Sequence, residues 1–481
     1  LDITVVPEQP SDASDRAIVE AVSRTSDALA ATAAEALGEA LVSFDIYGIL
    51  AALTDLAAAL GVASPLLFAA HHFGRQNAQV QRVWSGWTAT ETAKKDDHLA
   101  VFSDAVGKHD GVSTWCRHFS QRAAASRKRV WLATCDDAAH DAGPEAMPRP
   151  YPALARFKIP LYPELEICVP SLAATVDRLW REGITHVEVA TPGPMGLVGL
   201  AAARILGLPV TATYHTDFAA LLQLWVADPK LSDLARAYLG WFYRRVDRTF
   251  VFSQASRDRV LELRVPPEQV EAIVMTVDPT DFSPACTSTS IFSELGVPAG
   301  DRPVVLTVGR LSGEKNVASI VEAVRGLQHR QPAPLLVVVG DGPAAAALQR
   351  SCCSDDFVVF LGTQTGRPLR ELYASASIFV FASRIDGLGL VNLEALSSGV
   401  PVLVPCGSAI AESLHDGHDA LFFDASADGL RQALAALLDN PGMAAKLAAN
   451  GRQHMVSRWQ EVQFEAVWQR MAGTKPSLDP A

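Results

Sequence analysis

The chain has 481 residues, of which 49% are hydrophobic and 20% charged, and its formal net charge is -12. That length exceeds one hydrophobic core and predicts two or three domains of an ordinary soluble protein. The acidic balance excludes a broad electrostatic grip on nucleic acid or anionic lipid; the one basic run, Arg127-Lys128-Arg129, reads more simply as a solvated helix end.

From Leu1 to about Asp97 the chain is Ala-rich and helical in pattern, with no strand alternation after Val6. The first residue is Leu1, so the chain is expected to be a piece of a longer protein. The run Ile46–Ala70 is apolar except for Asp55 and is long enough to span a bilayer. Asp55, Gly61 and Pro65 favour two packed helices instead. His71-His72, Trp84 and Trp87 read as helix packing.

From His98 the pattern changes to short β-branched runs (LAVFSDAV, VWLATC, VEVAT, LPVTATYH, TFVFSQ, AIVMTV) separated by amphipathic stretches such as Thr114–Ser126 and Leu231–Val246. This alternation predicts a parallel sheet wrapped by helices. A Pro-, Ser- and Thr-rich stretch, Phe282–Arg302, reads as a linker. The alternation then restarts with VVLTVGR, LLVVVGDG, FVVFLG, IFVFAS, PVLVPCG and ALFF. The expected organisation is a helical extension over 1–97, a Rossmann-like unit over 98–283, a linker over 284–302, a second Rossmann-like unit over 303–452, and a closing helix and tail over 453–481. That last helix is a candidate to cross back onto the first unit. Two doubly wound units place their functional loops at the strands' carboxyl ends, with the ligand in the cleft between.

Two motifs carry chemistry. In VGRLSGEKN, Val308–Asn316, a strand ends in Gly309-Arg310 and a short loop brings Lys315 to a helix start. Alone, this is an ordinary turn flanked by surface cations. At a helix N-terminus the two cations make a charge sink of the kind a diphosphate leaving group requires. In SRIDGLGLVNLEALSSGVPV, Ser383–Val402, Gly387 and Gly389 allow close backbone approach to a ligand. The helix that starts near Leu390 carries Glu394, whose two oxygens can accept both hydroxyls of a ribose.

The order GR…K, GDGP, acidic-x7-acidic and GxPV resembles the retaining glycosyltransferases of family 4 (group 1), over about His98 to Met471. The resemblance implies two facing Rossmann-like domains, the GT-B fold, and sugar transfer from a nucleoside-diphosphate donor, a GDP- or UDP-sugar. It implies that Arg310 and Lys315 hold the diphosphate and that Glu394 holds the ribose. Asp386 stands where the family usually has the Glu that contacts the transferred sugar; its reach is one methylene shorter. Gly309, Gly387, Leu388, Gly389 and Leu390 join the donor-binding set. Thr191–Phe218 and Leu161–Leu165 are similar to segments of the branch containing sulfolipid synthases and GDP-mannose-dependent mannosyltransferases. There His215 reaches the donor sugar or the reacting centre. Gly107–Val112 corresponds to the family's glycine loop, with Gly111 near the donor phosphates and Asp110 where Asn is commoner. The acceptor is expected to be a lipid or a glycan, with no nucleic acid partner. A cytoplasmic location, with a candidate peripheral contact at the inner membrane face, goes with that branch. LDITVVPE and LLFAAHHFGRQN resemble the stretch joining a PHP-type phosphoesterase domain to a glycosyltransferase in fused bacterial proteins, which makes residues 1–97 an expected remnant of an upstream domain.

Other features are read structurally. GPMGLVG (Gly193, Gly196, Gly199) has the spacing GxxGxxG rather than a dinucleotide fingerprint. HDGHD, His415–Asp419, reads as a variable surface turn rather than a metal site, and no DxD motif adjoins the nucleotide site, so no metal or other cofactor is expected to be required. Seven dispersed cysteines without CxxC pairs read as reduced thiols. The alternatives on this architecture are a sugar-nucleotide epimerase, a phosphorylase, for which no pyridoxal-bearing lysine is found, and a non-catalytic sugar-nucleotide binder.

Overall fold

The computed structural model describes residues 13–43, parts of 45–67, 97–105, 110–135, 149–226 except 152, 160 and 161, 229–385, 389–461 except 425, and 464–473. Leu1–Val6, the two Trp and two His of the N-terminal zone, and residues 106–109 and 386–388 lie outside them.

Two parallel sheets organise the chain. The first has seven strands in the order β3-β2-β1-β6-β7-β8-β9. These are β1 (His98–Phe102), β2 (Arg129–Thr134), β3 (Arg149–Pro150), β6 (His186–Val189), β7 (Val210–Thr213), β8 (Arg248–Val251) and β9 (Val270–Ala272). The second has six, β12-β11-β10-β13-β14-β15: β10 (Val304–Val308), β11 (Leu335–Val339), β12 (Val358–Phe360), β13 (Ile378–Val380), β14 (Val402–Pro405) and β15 (Leu421–Phe423). In both sheets the strand order reverses beside the first strand, at β1/β6 and β10/β13, which opens a crevice at the strands' carboxyl ends. This is the doubly wound α/β fold expected in both halves.

The local causes are visible in the sequence. β11 is LLVVV and is buried throughout, as a parallel strand covered on both faces must be. Val317, Ile320, Val321 and Val324 of the helix Val317–Arg325 recur at helical spacing, and all are buried. Gly196 and Gly199 of the helix Pro194–Leu206 are packing glycines. A Cβ at Gly196 would stand 2.0 Å from the Thr191 carbonyl oxygen, and one at Gly199 would stand 2.7 Å from the Phe102 ring.

Three departures from expectation have physical reasons. AIVMTV contributes only Ala272 to β9, which begins at Val270. The strand is an edge, and Ile273, Met275 and Val277 are buried by packing without a ladder. Second, β4 (Ala153–Ile159) and β5 (Tyr162–Pro170) form an antiparallel hairpin outside both sheets. The long helix Ala13–Ser43 lies on it, with Gly38 against Phe157, while Asp27 accepts from Ser171 Oγ at 2.7 Å. Third, the stretch 284–302 is folded onto the second unit: Ile291, Val297 and Ala299 are buried, and Thr287 Oγ1 donates to the Ala374 carbonyl at 3.1 Å. No described helix is long and apolar enough to cross a membrane.

Among the contacts that join the units, two stand out in the described residues. The helix Pro441–Glu461 leads into Phe464–Ala472, whose Phe464 and Trp468 rings pack on Phe119 of the first unit at 5.4 and 6.3 Å between centroids. Glu412 of the second unit accepts from the amides of Gln254 and Ala255 at 2.6 and 2.8 Å, at the start of the helix Gln254–Glu262. A carboxylate at a helix N-terminus is favoured by the exposed amides and the macrodipole. Trp468 is fully buried, so Trp468→Ala should cost about 3–5 kcal/mol in urea unfolding followed by circular dichroism. A loss below about 1 kcal/mol would show that the crossing helix contributes little to the joint.

Candidate active site between the two sheets

The carboxyl ends of β1, β6 and β7 and those of β10, β11 and β13 line one cavity of about 1260 Å³. Gly309, which follows β10, has φ 150° and donates its amide to Val339 at 3.0 Å. Gly340 follows the neighbouring strand β11, and a Cβ there would stand 1.9 Å from the Gly309 carbonyl oxygen. Leu311 is tied back by its amide to the Asp341 carbonyl at 2.9 Å and by its carbonyl to the Ala344 amide at 2.8 Å. The Gly-Arg loop is therefore locked onto the Gly340-Asp341-Gly342 turn, with Arg310 on the cavity wall.

Arg310 is 15% exposed and sits 3.9 Å from Glu314, which is itself 8% exposed and accepts from Ser312. Lys315 ends the short turn Gly313–Lys315, and Asn316, at φ 52°, passes the chain into the helix Val317–Arg325. Arg310, Glu314 and Lys315 all line the cavity. Arginine, acid and lysine thus stand together on the cavity wall, with Arg310 drawn toward Glu314. Glu314 was not singled out from sequence, although it precedes Lys315; nothing in its local pattern distinguishes it from a helix-start acid.

Glu394 lies one turn into the helix Leu390–Ser397, is 6% exposed and accepts from Tyr373 Oη at 2.8 Å. Burial pushes its carboxyl up to about 7, partly offset by the Tyr373 hydroxyl. Gly389, at φ 66°, takes a backbone conformation that side chains rarely adopt, and it lines the cavity with Leu390 and Glu394. Asp386, Gly387 and Leu388 lie outside the described residues.

From the first unit, Gly111 opens the helix Gly111–Ala125, and Asp110 caps it by accepting from the Ser113 amide at 2.7 Å. Both line the cavity. His215, beyond the end of β7, is packed edge-on to Trp115 at 4.8 Å and against Phe252 at 5.3 Å. Its Nε2 is buried without a hydrogen-bond partner among the described residues, and the residue lines the cavity. Burial holds its pKa down to about 3, so the ring is neutral at physiological pH.

A helix mouth of the first unit that faces the cavity, at Pro194, is already filled by an anion. Asp104 accepts from the Met195 amide at 3.0 Å and from Thr191 Oγ1 at 2.6 Å, at the start of Pro194–Leu206. A second anion there would meet like charge. Asp104 and Thr191, like Arg117, His118 and Arg370 on the same wall, carried no motif by which sequence could find them.

Three buried acids share one pH behaviour. Burial raises Asp104 to about 6, and Glu188 and Glu394 to about 7. Between about pH 4 and pH 7 the folded chain binds more protons at these sites than the unfolded chain does. Their contribution is therefore fully present below the unfolded values and is lost as pH rises through the folded ones. Accordingly, Glu394→Gln should raise the melting temperature at pH 8 more than at pH 5, measured by calorimetry without ligand. A larger gain at pH 5 would contradict the raised carboxyl.

The comparisons with known proteins agree with this geometry. Residues 109–281 match the family model described as Glycosyltransferase Family 4, and residues 292–454 match the one described as Glycosyl transferases group 1. The sulfoquinovosyl transferase SQD2 of Arabidopsis thaliana is 26% identical over 55% of this chain and 51% of its own length. A GDP-mannose-dependent alpha-mannosyltransferase of Mycobacterium tuberculosis is 34% identical over 46% of this chain and 54% of its own. The chain thus spans about half the length of these two curated relatives. Among solved structures, Anabaena HepE in complex with UDP and glucose has a TM-score of 0.63 at 18% identity, covering 79% of this chain and all of that one. WaaG, a glycosyltransferase involved in lipopolysaccharide biosynthesis, has a TM-score of 0.59 at 17% identity, covering 78% of this chain and all of that one. With one model matched in each half and the two doubly wound sheets of a GT-B fold around a shared cavity, the chain belongs to glycosyltransferase family 4, the group 1 glycosyl transferases.

Proposed function

We propose that the protein transfers a hexose from a nucleoside-diphosphate sugar to a hydroxyl acceptor, with retention at the anomeric carbon. The observation that carries this reading is the placement of Arg310, Lys315 and Glu394 on one cavity between the sheets. The relatives named above include a GDP-mannose-dependent enzyme and a structure holding UDP and glucose, which supports a GDP- or UDP-sugar donor.

In this reading Arg310 and Lys315 take the diphosphate, Glu394 accepts from the ribose hydroxyls, and the backbone at Gly111, Gly309, Gly389 and Leu390 closes around the donor. Asp386, with Gly387 and Leu388, is assigned to the transferred sugar by the motif it stands in. The neutral ring of His215 offers its Nε2 to a sugar hydroxyl, an interaction an imidazolium could not switch between donating and accepting. Bond breaking moves negative charge onto the leaving phosphate, and that oxygen takes the acceptor's proton on the same face from which the sugar departs. The two cations stabilise this charge more strongly as the bond lengthens. No cofactor enters; the nucleotide sugar is substrate. Phe218, Leu221, Leu222 and Leu239 make part of the first unit's wall apolar, which favours an acceptor with a lipid portion over a bare glycan. That acceptor would be met at the inner face of a membrane, from the cytoplasm.

Two measurements test the reading. Arg310→Ala should lower single-turnover transfer by about 100-fold or more, with a much smaller change in donor affinity; equal losses in both, or no loss of transfer, would overturn its role. Glu394→Gln should weaken nucleoside-diphosphate binding by about tenfold, the worth of a hydrogen bond to a charged acceptor, in titration calorimetry at pH 8. In the unmodified protein, affinity should fall as pH drops below 7, as the carboxylate protonates. A pH-independent affinity would remove Glu394 from the ribose.

A further inference from the structure

A second cluster lies in the second unit, on residues that do not line the cavity. Asp419 is 2% exposed, and three imidazoles surround its carboxylate. His415 Nδ1 is 2.8 Å from Oδ2, His454 Nδ1 is 3.4 Å from the same oxygen, and His418 Nδ1 is 2.6 Å from Oδ1. The donor atoms of His415, Asp419 and His454 all lie within 4.8 Å of one another.

The backbone around the cluster is built for this approach. His454 stands on the helix Pro441–Glu461, and three residues before it Gly451 presses that helix onto the loop. A Cβ at Gly451 would stand 2.7 Å from the Asp419 carbonyl oxygen and 2.6 Å from Leu396 Cδ2. Asn450 Nδ2 donates to the His418 carbonyl at 3.0 Å, one residue before the acid. The loop and the helix are thus held in register by contacts independent of the imidazoles.

We propose that His415, Asp419 and His454 bind a divalent transition ion of the zinc class, with His418 holding the second carboxylate oxygen. Two ring nitrogens and one carboxylate suit zinc, whereas calcium and magnesium take oxygen ligands. A buried carboxylate brings the neutralising charge, and each imidazole offers a ring-nitrogen lone pair. A histidine that supports a ligating carboxylate from the far oxygen orients it for the metal. Tetrahedral bonds of about 2.0–2.2 Å set neighbouring ligand atoms roughly 3.3–3.6 Å apart. His454 Nδ1 already stands 3.4 Å from Oδ2, and the 75% exposed His415 ring has the freedom to turn its nitrogen to that spacing. The ion would fasten the loop before β15 to the helix that continues into Phe464–Ala472 on the first unit. The inference does not depend on the transfer reading.

The test uses tag-free full chain, stripped with a chelator and titrated with zinc chloride by calorimetry, then with cobalt(II) by absorption spectroscopy. One zinc ion per chain is expected, together with a cobalt spectrum of tetrahedral, nitrogen-ligated type. His415→Ala lies at the rim and leaves the fold intact; it should weaken zinc binding by about 100-fold, as should His454→Ala, with about tenfold for His418→Ala. Zinc should raise the melting temperature of the unmodified protein and leave that of His415→Ala unmoved. The absence of saturable zinc binding, or binding unaltered in His415→Ala, would overturn the proposal.

Discussion

The positive wall at the end of β10 is the constraint around which the site is arranged. Arg310 and Lys315 are brought to the mouth of one helix, half withdrawn from solvent, with Glu314 between them. Like charges on one wall repel, and Glu314, 3.9 Å from Arg310, offsets part of that repulsion. Gly309 and Gly340 pack so closely that a Cβ at Gly340 would clash with the Gly309 carbonyl. In the proposed reading, the two cations are an electrostatically preorganised site for a pyrophosphate, which costs little reorganisation when charge develops.

The opposite wall is complementary in sign and chemistry. Its helix mouth at Pro194 is filled by Asp104, and its nearest ring, His215, is neutral. In the proposed reading phosphate charge goes to the second unit, while the first unit presents Arg117, His118 and apolar surface to the cavity. Crossing structures hold the two walls at this separation. The Phe464–Ala472 helix packs on Phe119, and Glu412 caps a helix of the opposite unit. Both are joints on which closure around a ligand can pivot, since neither lies in the cavity.

Legibility from sequence followed the range of the interaction. Short β-branched runs such as LLVVV and VVLTV announced both sheets, because a strand buried on both faces leaves a local signature. The loops bearing Arg310, Lys315 and Glu394 were legible for the same reason: strand end, glycine and helix start are contiguous. The hairpin β4–β5 was not, since its alternation at Leu165, Ile167 and Val169 is short and the hairpin packs on the distant helix Ala13–Ser43. Asp104 and Thr191 were hidden because they are 87 positions apart and meet only in the fold. The turn His415–Asp419 looked like a polar surface loop; His454, which completes the cluster, is supplied by a helix and reaches it only because Gly451 lets that helix close in.

The central claim is spatial, and a crystal structure of the chain with a nucleoside diphosphate bound tests it most directly. The account predicts the β-phosphate against the Arg310 guanidinium and the Lys315 ammonium, and the ribose hydroxyls on the Glu394 carboxylate. A diphosphate seated instead at the first sheet, or one with both cations turned to solvent, would contradict it.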